Sequence, residues 1–305
     1  MMERILSLIS NHTFMVVALG TGFLGFLSGV VGVFLTLRKQ SLLGDAVGHA
    51  ALPGIIIAFM IVREKNLAFL LIGATISGML ATWLINLMHK HSVVKLDSAL
   101  SLILSSFFGL GTALLTYIQR DPSTSQAGLE NFIFGQASGM LIRDVQAIAV
   151  VGVVVLAFIF IFWKEFKLLT FDPGFAKTLP GGYKWLDTLL SFLTVVVIAL
   201  GLESVGVVLI SALLVTPAIA ARQWSNNMYV VVILSGVFGF ISGIIGTFFS
   251  SLGRQIPTGP TIIVAATLIV FISLFFAPKR GLIAKRLEQR KRRQALEKQL
   301  EGGNV

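Results

Sequence analysis

The stretch SLLGDAVGHAALPGIIIAF, Ser41 to Phe59, decides how the chain is read: it is apolar over the length of a helix, yet carries an aspartate and a histidine four positions apart. Its neighbours are equally apolar. GFLGFLSGVVGVFLTL precedes it, LAFLLIGATISGML follows, and such runs recur to residue 277. Of the 305 residues, 55% are hydrophobic and 12% charged, where an ordinary soluble domain has about 25% charged; the mean hydropathy is +0.89. About 20 mostly apolar helical residues cross a hydrocarbon core of about 30 Å. The composition therefore describes an all-α polytopic integral membrane protein.

Hydropathy and punctuation predict nine spans: Phe14 to Leu37, Leu42 to Val62, Leu67 to Met88, Ser98 to Ile118, Val145 to Trp163, Trp185 to Gly201, Val205 to Ala221, Met228 to Ser250 and Thr261 to Ala277. No A-x-A cleavage pattern follows the first, which reads as a retained span. Residues 1–277 then form one membrane domain and 278–305 a basic tail. Cysteine is absent, which excludes disulfides and thiolate ligands within the chain.

The formal net charge is +10, but nine of the 24 Lys and Arg residues lie in residues 278–305. No aromatic side chains interleave with them, so the tail faces cytoplasm and anionic lipid headgroups and not nucleic acid. With the tail inside and nine spans, the N-terminus is outside. Arg38, Lys39, Lys90, Lys95, Lys164, Lys167, Lys177, Lys184 and Arg222 then fall inside with the tail, and Arg4, Arg63, Lys65, Arg120, Arg143 and Arg254 outside, as the positive-inside rule requires.

Two connections are long. QRDPSTSQAGLENFIFGQASGMLIRD, outside, accommodates a short interfacial helix around Leu129 to Phe134. WKEFKLLTFDPGFAKTLPGGYK, residues 163–184, inside, contains an Asp-Pro-Gly turn between short apolar runs and presents a short helix to a cytoplasmic partner. Glycines cluster in GTGFLGFLSGVVG and SGVFGFISGIIG, where small residues let helix backbones approach closely in lipid.

Few ionisable groups lie inside the apolar runs, and each is costly there unless it faces a cavity or a partner. Asp45 and His49, at i and i+4, share one helix face with Cβ atoms roughly 6 Å apart. An oxygen and a nitrogen can converge on one ion there; a hydrogen bond that satisfies both groups between packed helices fits the same spacing. Pro53 removes the amide that would bond the His49 carbonyl and should kink the helix; Pro217 should do the same in the seventh span. Oxygen and nitrogen donors without sulfur suit manganese, zinc or iron(II). Glu203 is a third candidate, but at about 1.5 Å per residue it lies roughly 28 Å from Arg222, while Asp45 is roughly 9 Å from Lys39. Straight helices would keep them apart. Asp97 reads as a helix N-terminal residue, and His89 and His91 as part of a solvated loop.

Together, the stretches GFLGFLSGVVGVFLTLRKQSLLGDAVGHAALPGIIIAF and VGVVLISALLVTPAIAA resemble the membrane permease of bacterial ATP-binding-cassette importers for manganese, zinc and iron. The most specific elements are G-D-A-x-x-H-A-x-x-P-G at Gly44 to Gly54 and L-L-V-T-P-A at Leu213 to Ala218. The resemblance covers nearly the whole chain. It implies a type II importer-like permease in the bacterial cytoplasmic membrane, working as a homodimer with the pathway between its copies. An extracytoplasmic metal-binding protein and cytoplasmic ATPase subunits would complete it. By position, Asp45 and His49 match the family's metal-coordinating pair, and Phe171, Asp172, Pro173, Gly174 and Phe175 match its ATPase-docking segment; Glu203 is a weaker match. The cation, Mn²⁺, Zn²⁺ or Fe²⁺, is cargo, and no permanently bound cofactor is implied.

This chain has no G-x-x-x-x-G-K-[ST] loop, so ATP is handled by a separate subunit and the chain itself is not an enzyme. H-E-x-x-H and G-x-S-x-G are also missing, which argues against an intramembrane hydrolase. The remaining rival is a proton-coupled secondary carrier using Asp45 and His49 as a relay, although no interrupted repeat supports it. Because neutral imidazole is the ligand, uptake should weaken on acidification.

Overall fold

The computed structural model describes residues 11–64, 66–119, 135, 137–176, 178, 183–253, 256–286, 289, 290, 293 and 294. In chain order its helices are α1 (His12–Leu37), α2 (Leu43–Val62), α3 (Leu67–His91), α4 (Leu96–Ile118), α5 (Ile142–Ile161), α6 (Trp163–Phe171), α7 (Pro173–Ala176), α8 (Tyr183–Trp224), α9 (Met228–Leu252) and α10 (Thr258–Phe276), with a 3₁₀ turn at Ala137–Gly139. Among the described residues there is no strand, and eight helices are long and apolar enough to cross a membrane.

The two glycine-rich stripes pack on each other. An added Cβ on Gly25 would collide with the Gly239 carbonyl, and one on Gly239 with the Gly25 carbonyl, so α1 and α9 touch backbone to backbone. Hydroxyls finish the seam: Thr21 and Thr247 share a 3.0 Å hydrogen bond and Ser235 donates to the Gly29 carbonyl at 2.6 Å. Hydrocarbon supplies no hydrophobic drive between helices, so dispersion and such bonds hold the pair.

Helix ends gather at two levels. At one, Phe34 near the end of α1 meets Trp163 and Phe166 of α6, Trp163 stacks on Tyr229 at the start of α9, and Arg38 pairs with Asp187 at the start of α8. This basic end also carries Lys164, Lys167, Arg222 and Arg280. At the opposite end Ser250 of α9 bonds Thr258 of α10 at 2.9 Å.

Helix α8 carries the expected sixth and seventh spans in one helical segment. Its 42 residues would run about 63 Å if straight, twice a bilayer core. It folds back at Gly206, whose φ of 80° and ψ of 169° belong to a region open essentially only to glycine. Gly201 and Ile210 are in contact as a result, although nine residues along a straight helix would separate them by about 13.5 Å. Both ends of α8 therefore lie at the basic end: Asp187 on Arg38, and Trp224 donating to Ser273 of α10 at 2.9 Å. The expected interruption at residues 202–204 is helical, and the reversal comes later. Gly135, at φ 75°, backs directly onto Val205 and Gly206 and closes over the turn.

His89 and His91 also differ from expectation. They end α3 instead of occupying a loop; the Ser92 amide caps onto the Met88 carbonyl, and basic side chains suit a helix C-terminus. Pro53 and Pro217 lie inside helices that continue past them. The interfacial helix expected around Leu129 to Phe134, and most of the tail, lie outside the described residues.

Gly25→Ala should destabilise the purified protein by about 1–3 kcal/mol through overpacking, read as a lower melting temperature in detergent. Gly152→Ala, whose Cβ would meet only Leu27 Cδ2 at 3.6 Å, should be neutral or stabilising. Equal effects would contradict the backbone contact.

Candidate functional site

The site begins at the connection between α1 and α2. Gln40 donates its amide to the Leu35 carbonyl at 2.9 Å and Lys39 to Thr36 at 3.3 Å, the paired bonds of a Schellman motif with Lys39 at φ 58° in the left-handed position usually given to glycine. Arg38, within this turn, is tied to Asp187 of α8; the two side chains are 15% and 26% exposed. The tie fixes where α2 starts.

Asp45 occupies the first turn of α2, where no side chain caps the helix and the free amides favour an anion. His49 follows one turn later. Its Nε2 stands 3.6 Å from Asp45 Oδ1, beyond hydrogen-bonding distance. The Asp45 and His49 side chains are 43% and 20% exposed, so the pair opens on one side while its neighbours Leu43, Gly44, Ala46 to Gly48 and Ala50 to Pro53 are buried. His49 Nδ1 is buried without a hydrogen-bond partner. Phe108 of α4 lies against the imidazole edge to face. One turn beyond, Gly111 allows α4 to press on Leu52 and Pro53, and on the far side the Ser77 hydroxyl donates to the Ala50 carbonyl at 2.6 Å. An acid and an imidazole so placed offer an oxygen and a nitrogen to a third atom between them.

Glu203 is not brought to this pair. It lies three residues before the Gly206 reversal, at the end of the molecule where Asp144 stands in the first turn of α5. Among the described residues no three His, Asp or Glu side chains form a group able to hold a metal. Asp97 is in the first turn of α4, as the sequence suggests.

Around Phe171 to Phe175 the chain forms a compact protrusion at the basic end. Asp172 Oδ1 accepts from the Phe175 amide at 2.9 Å, and Pro173 opens α7, a position that needs no amide donor. Phe171 and Phe175 point outward at 58% and 54% exposure, whereas Phe166 is fully buried against Phe34. Two apolar knobs thus stand on a helix rooted in the membrane domain.

The model of the ABC 3 transport family matches residues 11–277. This chain belongs to the ABC 3 transport family. It is 46% identical over 283 residues to the manganese transport system membrane protein MntC of Bacillus subtilis (strain 168), covering 92% of this chain and 65% of that one. It is 42% identical over 282 residues to the zinc transport system membrane protein TroC of Treponema pallidum (strain Nichols), covering 92% and 95%. Among solved structures, PsaBC from Streptococcus pneumoniae in complex with Fab superposes with a TM-score of 0.81 at 30% identity, over 95% of this chain and 100% of that one. As an ABC 3 family permease the chain is a multi-pass protein of a bacterial cell membrane and a transport subunit, all-helical as its sequence indicates.

Sequence reasoning missed Asp187 and Phe108. Asp187, in KWLDTLLSF, is an acid within an apolar run and was visible as such; Phe108 carries no sequence signal. Arg38→Met should lower the melting temperature more than Arg38→Met combined with Asp187→Leu, since the single change leaves a partly buried carboxylate unpaired. Equal losses would mean that solvent screens the pair.

Proposed function

We propose that the chain is the membrane permease of an ATP-driven importer of a divalent transition metal, manganese first, then zinc or iron. The observation that carries this is the Asp45–His49 pair: two hard-to-borderline donors, not hydrogen-bonded to each other, partly exposed among the buried residues of the first half of α2. Membership of the ABC 3 family and relatives named for manganese and zinc transport support it.

Transport demands that the ion exchange water for protein ligands and then leave. A carboxylate offsets the ion's charge where the dielectric is low and an unaccompanied divalent ion would meet a severe solvation penalty. One chain supplies two ligands, and such ions take four or more. A homodimer with the pathway between its copies would double the set by two-fold symmetry; α4 offers an exposed row of small residues, Ser101, Ser105, Gly109 and Ala113, on which a second copy could pack. Cytoplasmic ATPase subunits would grip the Phe171–Phe175 knob, whose aromatic root reaches Phe34 and, one turn on, Arg38 at the connection to α2. An extracytoplasmic metal-binding protein would deliver the ion at the end where Glu203 and Asp144 lie. The basic end is cytoplasmic in this reading, with the N-terminus outside.

Asp45→Ala and His49→Ala should each abolish metal uptake by the reconstituted complex while membrane insertion and ATPase association persist; uptake at the wild-type rate by both would reject the site. Phe171→Asp with Phe175→Asp should release the ATPase subunits during purification without disturbing insertion. Retained association would move the docking surface elsewhere. Gradient-driven uptake by this chain without ATP would favour a proton-coupled carrier instead.

A further inference from the structure

Phe108 lies midway along α4, and its ring meets the His49 imidazole at a centroid separation of 4.8 Å and an interplanar angle of 79°. Two observations lift this above ordinary packing. The first is the lack of a polar anchor. A metal-ligating imidazole is usually oriented by a hydrogen bond from its second nitrogen to a carboxylate, a carbonyl or water. The buried Nδ1 of His49 has none among the described residues, while Asp45 lies on the Nε2 side at 3.6 Å. The χ2 torsion of histidine is broad and roughly two-fold, so no polar contact selects one ring orientation.

The second is the rigidity of what holds Phe108. A Cβ on Gly111 would lie 2.9 Å from Leu52 Cβ and 3.2 Å from Pro53 Cδ. Those atoms cannot swing aside: one is bonded to the backbone and the other is in the proline ring. The spacing of α4 and α2 is thereby set one turn from the imidazole, and with it the depth at which the Phe108 ring is presented.

We propose that Phe108 is a positioning residue that substitutes for the missing hydrogen bond, holding the His49 ring with Nε2 toward Asp45 and the passing cation. The proposal rests on the reading of Asp45 and His49 as cation ligands. Without the aromatic ring the imidazole samples other orientations and must be ordered again each time an ion binds. Affinity falls, and the remaining complexes lose the histidine nitrogen from their coordination shell.

The test titrates the purified full chain in lipid nanodiscs with Mn²⁺ alone, following bound metal by electron paramagnetic resonance and the coordinated nitrogen by its spin-echo modulation. Phe108→Leu should raise the apparent Kd about tenfold, the scale of losing a supporting partner, and weaken the modulation. Phe108→Met guards against a misfolded leucine variant and should behave alike; Phe108→Tyr should restore both signals. Unchanged affinity and modulation in the leucine and methionine variants would overturn the proposal, as would a tyrosine variant as impaired as leucine. His49→Ala separates the two levels. If it keeps the full nitrogen modulation, or the wild-type chain shows none, the site itself is wrong; if His49→Ala removes the modulation and Phe108→Leu leaves it intact, only the role of Phe108 falls.

Discussion

An acid inside hydrocarbon must be compensated, and Asp45 sets the terms for the rest of this molecule. A carboxylate cannot sit unpaired at depth without a cost of several kcal/mol. Here it is placed in the first turn of α2, where helix amides favour an anion, beside an imidazole it does not bond directly. Its remaining face is open. That incomplete satisfaction is what a transient ion site requires, since a pair that fully satisfied itself would have nothing to offer a cation and a full ligand cage would not release one.

The surrounding fold holds this helix by different means on each side. At its start, the Lys39 turn and the Arg38–Asp187 pair fix the entry. Against α4, contact is made through Gly111 and Pro53, and against α3 through the Ser77 hydroxyl. The α1–α9 seam, packed backbone to backbone, gives the domain a stiff body, while the aromatic group of Phe34, Trp163, Phe166 and Tyr229 joins that body to the exposed Phe171–Phe175 knob. A movement of the knob would therefore reach the end of α1 through the edge-to-face contacts of Phe34 with Trp163 and Phe166, and the beginning of α2 lies just beyond.

Much of this was legible in the sequence because the solvent imposes it. Apolar runs of span length, the glycine stripes and the four-residue spacing of Asp45 and His49 each follow from a local rule. What escaped depends on partners far away in the chain. In IALGLESVGVV any of several positions could break the helix; Gly206 does so where Gly135 covers it, and nothing local distinguishes it from Gly201. Asp187 was passed over because its partner, Arg38, is 149 residues away. Phe108, one of 24 phenylalanines, looks like any lipid-facing ring until α4 is placed beside His49. Glu203 was an acid in the right kind of segment, but the fold leaves it beside the Gly206 turn and outside any group of three metal-ligating side chains among the described residues.

The central claim is that Asp45 and His49 touch a travelling cation. Anomalous scattering at the manganese edge, from crystals of the assembled complex equilibrated with Mn²⁺, tests it most directly. The account predicts a peak on the two-fold axis within coordination distance of Asp45 Oδ1 and His49 Nε2 of both copies. A peak elsewhere along the pathway, with this pair sealed from any continuous route through the dimer, would contradict it.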